Sequence, residues 1–151
     1  PGDYGKFRLI PDILRSRQLN DPLVLRFPES TRPWQHVLDP LTGYLMLAEK
    51  LHLDHQKYSS AYNFGPIENG KRVCEIVEHF KSTIGGFSVA LEQSEQHEAG
   101  SLKLDSSKAR EYVGWRPSVS ESDCFDSIIN YDISDDKYQF IDSFLEQYLN
   151  D

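Results

Sequence analysis

Twice along this chain an apolar pattern of helical spacing gives way, across a backbone breaker, to a short run of strand type. Val73, Ile76, Val77, Phe80 and Ile84 fall on one helical face, Gly85-Gly86 ends the pattern, and Phe87, Val89 and Leu91 then alternate with Ser88 and Ala90 as in a half-buried strand. Earlier, Leu9, Ile10, Ile13 and Leu14, with Pro11 near the start, predict a helix over 11–18, stopped by Asn20-Asp21-Pro22 before a strand at 23–27. A chain that switches period in this way is mixed α/β.

The same reading extends to the remaining segments. Leu38, Leu41, Leu45, Ala48 and Leu51 or Glu49 mark the apolar stripe of a helix over 39–53, with Asp39 as N-cap and Pro40 in the first turn. Residues 61–64 read as a short strand ended by Gly65-Pro66, and Leu102 with Leu104 as another. Asp105 or Ser106 caps a helix to Val113, with Gly114 in the left-handed position behind it. Phe125, Ile128 and Ile129 form one further stripe; Tyr138, Phe140, Ile141, Phe144, Leu145, Tyr148 and Leu149 form the last. With strands this few and short, 151 residues suit the smaller lobe of a larger α/β protein better than a complete sheet domain. A start at Pro1 with no leader pattern fits a piece of something longer.

The formal charge of -8 argues against a nucleic-acid backbone or an anionic membrane as partner. It does not argue against a phosphate ligand, because the surplus is local. Residues 118–151 hold one basic side chain, Lys137, and nine acidic ones, while 1–117 are balanced at 15 of each and 1–32 hold six basic against four acidic. The longest apolar run, from Tyr44 to Ala48, is far short of the roughly 20 residues that span a bilayer. Cys74 and Cys124, fifty positions apart, read as buried free thiols of a cytoplasmic protein.

No phosphate-cradling glycine motif, nucleophile elbow, H-E-x-x-H or Tyr-x-x-x-Lys pair occurs, so no proton-transfer centre or cofactor turn is expected within the chain. His52 and His55 lack further ligands at sensible spacing, and no metal site is predicted. Two polar clusters remain. The run 26–36 gathers Arg26, Arg32, Trp34 and His36 between a strand and a helix; an arginine fork there suits a phosphate, and the alternative is a surface loop paired to Glu29. Gln96-His97-Glu98 offers a carboxylate to vicinal sugar hydroxyls, or is an exposed polar loop. Trp115 reads as a packing anchor.

Several stretches occur in a telling order between residues 1 and 131. They are Gly2-Asp3-Tyr4 with Arg8-Leu9-Ile10-Pro11-Asp12, the run 31–40 (TRPWQHVLDP), Gly43-Tyr44, 47–51 (LAEKL), 62–66 (YNFGP), His97-Glu98-Ala99, 102–109 (LKLDSSKA) and Gly114-Trp115-Arg116-Pro117. Together they resemble the C-terminal, substrate-binding half of the extended short-chain dehydrogenase/reductases acting on nucleotide sugars, the NAD-dependent epimerase/dehydratase family. The run 31–37 resembles its CDP-glucose dehydratase branch.

The resemblance implies a small mixed α/β lobe at 1–131, followed by an acidic C-terminal helix or tail at 132–151, with the Rossmann lobe absent from this chain. It implies that NAD and the catalytic Tyr/Lys pair belong to that missing lobe, that the full-length protein is a homo-oligomer, and that the partner is a nucleotide sugar, CDP-glucose. The implied reaction oxidises C4 of the glucose, eliminates water across C5 and C6, and returns the hydride to C6. Residue by residue, it puts Arg32 on the diphosphate, Glu98 on the ribose hydroxyls, the strand backbone of Leu23, Val24 and Leu25 beside the base, and Arg8 with Asp12 in the substrate cleft. Related epimerases carry an arginine shortly before the Glu98 position, where Glu95 and Gln96 stand here. The alternatives are a lobe acting on a dTDP, UDP or GDP sugar, and a non-catalytic assembly module using Tyr44, Leu45 and Leu47.

Overall fold

A computed structural model of the chain describes residues 5–68, 70–93 and 98–150. In order these form α1 (Leu9–Leu19), β1 (Leu23–Leu25), β2 (Thr31–Arg32), α2 (Leu38–Leu53), α3 (His55–Tyr58), β3 (Lys71–Arg72), α4 (Val73–Ile84), β4 (Val89–Leu91), a π-helical turn (Ala109–Val113), α5 (Glu121–Ile133) and α6 (Lys137–Asn150). β1 and β4 pair in parallel, Leu23 opposite Val89 and Leu25 opposite Leu91. β2 and β3 pair antiparallel, Arg32 opposite Lys71, and Thr31 also bridges Ser101.

The main core forms where the predicted periods agree. α1 contributes Ile13, β1 Leu23 and Leu25, α4 Ile76, Val77 and Phe80, and α5 Phe125 and Ile129, with Phe87 between them. Phe80 and Ile13 are fully buried, and each such side chain withdrawn from water contributes about 1.5–3 kcal/mol before entropy is counted. A second core of Phe64, Ala109, Val113 and Trp115 has Met46, Leu47 and Tyr62 packed against it. The Trp115 ring meets Phe64 edge-on at 5.1 Å and donates its indole N–H to the Asp39 carbonyl at 2.8 Å, which makes it the packing anchor expected. Gly43 is what lets Phe64 lie on α2, because a Cβ there would fall 2.6 Å from Phe64 Cε1.

Several expectations change. The strand expected at 23–27 ends at Leu25. Val37, not Asp39, precedes the first turn of α2. Asp39 is buried, and its Oδ1 accepts from the Ser118 backbone N–H at 2.9 Å, so it holds the approach to α5 instead of capping its own helix. The predicted stripe of α2 is largely outward: Leu41 and Leu45 are exposed, while Asp39 and Gly43 are buried and Met46 and Leu47 face the second core. Residues 61–64 form no strand; side chains meet their backbone, Lys108 Nζ donating to the Ala61 carbonyl and Gln35 Nε2 to that of Phe64. Leu102 contributes one backbone bond, to the Thr31 carbonyl at 3.1 Å, and no strand. The helix expected after Asp105 widens into the π-helical form over Ala109–Val113, closed by Gly114 at φ +82°. Cys124 is buried but Cys74 is half-buried.

α6 rests on the rest of the fold through Tyr148, whose hydroxyl shares a hydrogen bond of 2.8 Å with Thr42, and Phe144, whose ring lies 4.9 Å from His36. Among the described residues no helix is long and apolar enough to cross a membrane.

Candidate functional site

A cleft of about 620 Å³ opens between α1 and β1. The alternation of β1 sets what it meets: Leu23 and Leu25 point into the core, and Val24, 51 % exposed, points out. Of the expected site residues, Asp12, Leu23, Val24, Leu25 and Glu98 line this cleft. Asp12 is ion-paired to Arg15, one helical turn along α1.

Arg32 is not in the cleft wall but is bonded to a residue that is. Its guanidinium donates to the Glu98 carboxylate and to the carbonyls of Thr31, at 2.8 Å, and Ala99, at 3.0 Å. The ladder to β3 and the Thr31–Ser101 bridge fix the backbone beneath it. Gly70, at φ +77°, passes so close that a Cβ would sit 2.8 Å from the Arg32 carbonyl carbon. Arg8 precedes the first turn of α1, outside the cleft wall, its carbonyl accepting from the Asp12 N–H at 3.0 Å. Glu95, Gln96 and His97 lie outside the described residues.

Three further side chains at the cleft carry no spacing signal that marks them as a set. Arg26 follows β1 directly and Glu92 follows β4 directly, and their side chains pair, Nε to Oε2, at 3.3 Å. The Phe7 ring lies over the Arg26 guanidinium, 5.2 Å from it, while 80 % exposed and at φ +64°. A bulky side chain in the left-handed region is a true conformational outlier, of the kind that collects at binding sites. Of the three, only Arg26 stood in a cluster legible in the sequence.

The cleft thus offers guanidinium donors, carboxylate acceptors and the open face of Phe7, which suits a ligand with anionic, hydroxylated and planar parts. No family model matches the chain. Its sequence is 39% identical over 133 residues to the CDP-glucose 4,6-dehydratase of Salmonella typhimurium (strain LT2), across 86% of this chain and 37% of that relative. The chain resembles a part of CDP-glucose 4,6-dehydratase. It therefore spans less than half the length of this dehydratase. The fold is similar to that of UDP-glucuronic acid 4-epimerase from Bacillus cereus, solved in complex with UDP-glucuronic acid and NAD, with a TM-score of 0.68 at 19% identity over 83% of this chain and 40% of that one. This likeness bears out the expected fold class, a small mixed α/β lobe of the kind found within a larger epimerase.

Proposed function

We propose that this chain is the nucleotide-sugar-binding half of an NAD-dependent CDP-glucose 4,6-dehydratase, converting CDP-glucose to CDP-4-keto-6-deoxyglucose and water when joined to its cofactor-binding half. The observation that carries the reading is the similarity to the dehydratase over 86% of the chain. In this reading residues 1–131 form the substrate lobe and 132–151 an appended acidic segment. NAD belongs to the other half and supplies the hydride acceptor and donor. The residues of this chain bind and orient the sugar nucleotide, and so contribute binding energy and alignment, not bond-making groups.

Arg32 then takes the diphosphate and Glu98 the ribose hydroxyls. The two residues hold each other in the structure, so ligand entry exchanges one charged hydrogen bond for others. The β1 backbone and Val24 border the base. The outward stripe of α2, with Leu41, Tyr44 and Leu45 at 46, 57 and 73 % exposure, and the unladdered segment 61–64 beside it provide the seat for the cofactor half. Two unpaired thiols accord with a cytoplasmic setting.

Calorimetry of the chain with CDP tests the reading. Binding that weakens about ten-fold or more in Arg32→Ala is the expected result, one charged bond being worth about 1.5–3 kcal/mol. Equal affinity in the two proteins removes Arg32 from the site.

A further inference from the structure

The geometry points to the Arg26–Glu92 pair, roofed by Phe7, as the element that reads the nucleotide base and selects cytosine. This rests on the proposed sugar-nucleotide site and says which residues identify the base within it.

The placement follows from the parallel ladder. Because Leu25 lies opposite Leu91, the next residue on each strand emerges side by side at the same end, and the Glu92 N–H donates to the Leu25 carbonyl at 2.9 Å to hold that register. These are the carboxyl ends of two parallel strands, where open α/β sheets place their ligands. Both side chains line the cleft beside Val24.

The chemistry of the pair is directional. A carboxylate only accepts and a guanidinium only donates. Arg26 Nε is turned to Glu92 at 3.3 Å, which leaves the other carboxylate oxygen to accept and the two Nη groups to donate, so the pair can offer a ligand the order acceptor, donor, donor. The pairing edge of cytosine reads donor, acceptor, acceptor: its exocyclic amine, ring N3 and O2. The two edges are complementary. Uracil and thymine instead bring a carbonyl oxygen toward the carboxylate and a ring N–H toward the guanidinium, opposing like with like at both places. Guanine repeats the order of the pair itself and is opposed throughout.

Phe7 has a separate part. Its exposed ring, held at φ +64° above Arg26, offers a face on which a base can stack. Stacking is tolerant of base identity, because every base has a π face. The edge therefore selects and the roof only holds.

Calorimetry of the chain and of Arg26→Gln, Glu92→Gln and Phe7→Ala with CDP, UDP, dTDP and GDP tests the assignment, with melting curves to confirm that each variant is folded. The native chain is expected to bind CDP about ten-fold or more tightly than UDP, as for a bidentate base contact. Arg26→Gln and Glu92→Gln should bring that ratio toward one, chiefly by weakening CDP, and Phe7→Ala should weaken all ligands by a similar factor. A CDP-to-UDP ratio near one in the native chain, or one that survives both polar substitutions, overturns the assignment while leaving the sugar-nucleotide site intact. Failure of the native chain to bind any of the four overturns both.

Discussion

The carboxylate of Glu98 holds the guanidinium of Arg32 across a separation of 66 residues, and of the two only Glu98 faces the cleft. In the proposed site a phosphate competes with Glu98 for the same donors. Glu98→Gln removes the competing charge and is expected to tighten binding of inorganic pyrophosphate by up to about five-fold at low salt, the gain shrinking as salt is raised, in keeping with a half-exposed ion pair worth up to about 1 kcal/mol. Calorimetry at two salt concentrations checks this. Unchanged or weaker binding would show that the pair serves the fold alone.

Asp39 joins the two cores from within the first turn of α2. Its Oδ1 accepts from Ser118 N–H at 2.9 Å and its carbonyl from the Trp115 indole at 2.8 Å. Asp39→Ala leaves the Ser118 donor without this acceptor and is expected to cost about 2–3 kcal/mol, a fall in Tm of roughly 4–12 °C for a domain of this size. Asp39→Asn keeps an acceptor oxygen and should lose less. Thermal melts of the two variants are the check; equal losses would mean that the charge, not the acceptor, is what matters there.

Burial lowers the affinity of His36 for a proton, against an opposing pull from Asp39. Its Nδ1 accepts from the Leu38 N–H at 3.3 Å, and its ring packs on Phe144, an arrangement that needs the neutral imidazole. The folded-state pKa lies below the unfolded 6.5, so the unfolded chain binds more protons as the pH falls below neutrality. The stabilisation is complete above pH 6.5 and is lost as the pH drops through the folded pKa. The difference in Tm between the native chain and His36→Gln should therefore narrow between pH 7 and pH 5. A difference independent of pH would place the effect in packing.

The two cysteines should react unequally. Burial first, and then the nearby charges of Asp39 and Glu121, push the Cys124 thiol up to about 12, leaving almost no thiolate at neutral pH. Cys74 is half-buried at the start of α4, its thiol donating to Glu29 at 3.7 Å. A disulfide reagent at pH 8 is expected to modify one equivalent rapidly and the second only on unfolding, with Cys74→Ser abolishing the rapid phase. Two rapid equivalents would contradict the burial of Cys124.

How much of this was legible in the sequence depended on whether a segment finds its partner within the chain. α4 was legible to the residue, because the core covering Ile76, Val77 and Phe80 is all present. α2 was legible as a helix but not in its facing: an apolar stripe signals burial somewhere, and among the described residues Leu41 and Leu45 stay exposed. Residues 61–64 failed as a strand for the same reason, since β-propensity needs a neighbouring strand to act on. Leu102 and Leu104 were misread because alternation over three residues cannot tell a strand from a single bridge. At the site, Arg32 and Glu98 were singled out separately, and their contact, like that of Arg26 with Glu92, exists only through strand pairing between distant segments. Phe7 was invisible because nothing in its neighbours announces a left-handed backbone at a bulky residue.

In the proposed function a nucleotide sugar occupies the cleft between α1 and β1. Titration of the isotopically labelled chain with CDP-glucose, followed by amide correlation spectra, tests it most directly. Saturable shifts concentrated at residues 23–26, 31–32 and 98–101 are expected, with those at 31–32 reduced in Arg32→Ala. Shifts confined to α5 and α6, or none at ligand concentrations up to the millimolar range, would contradict it.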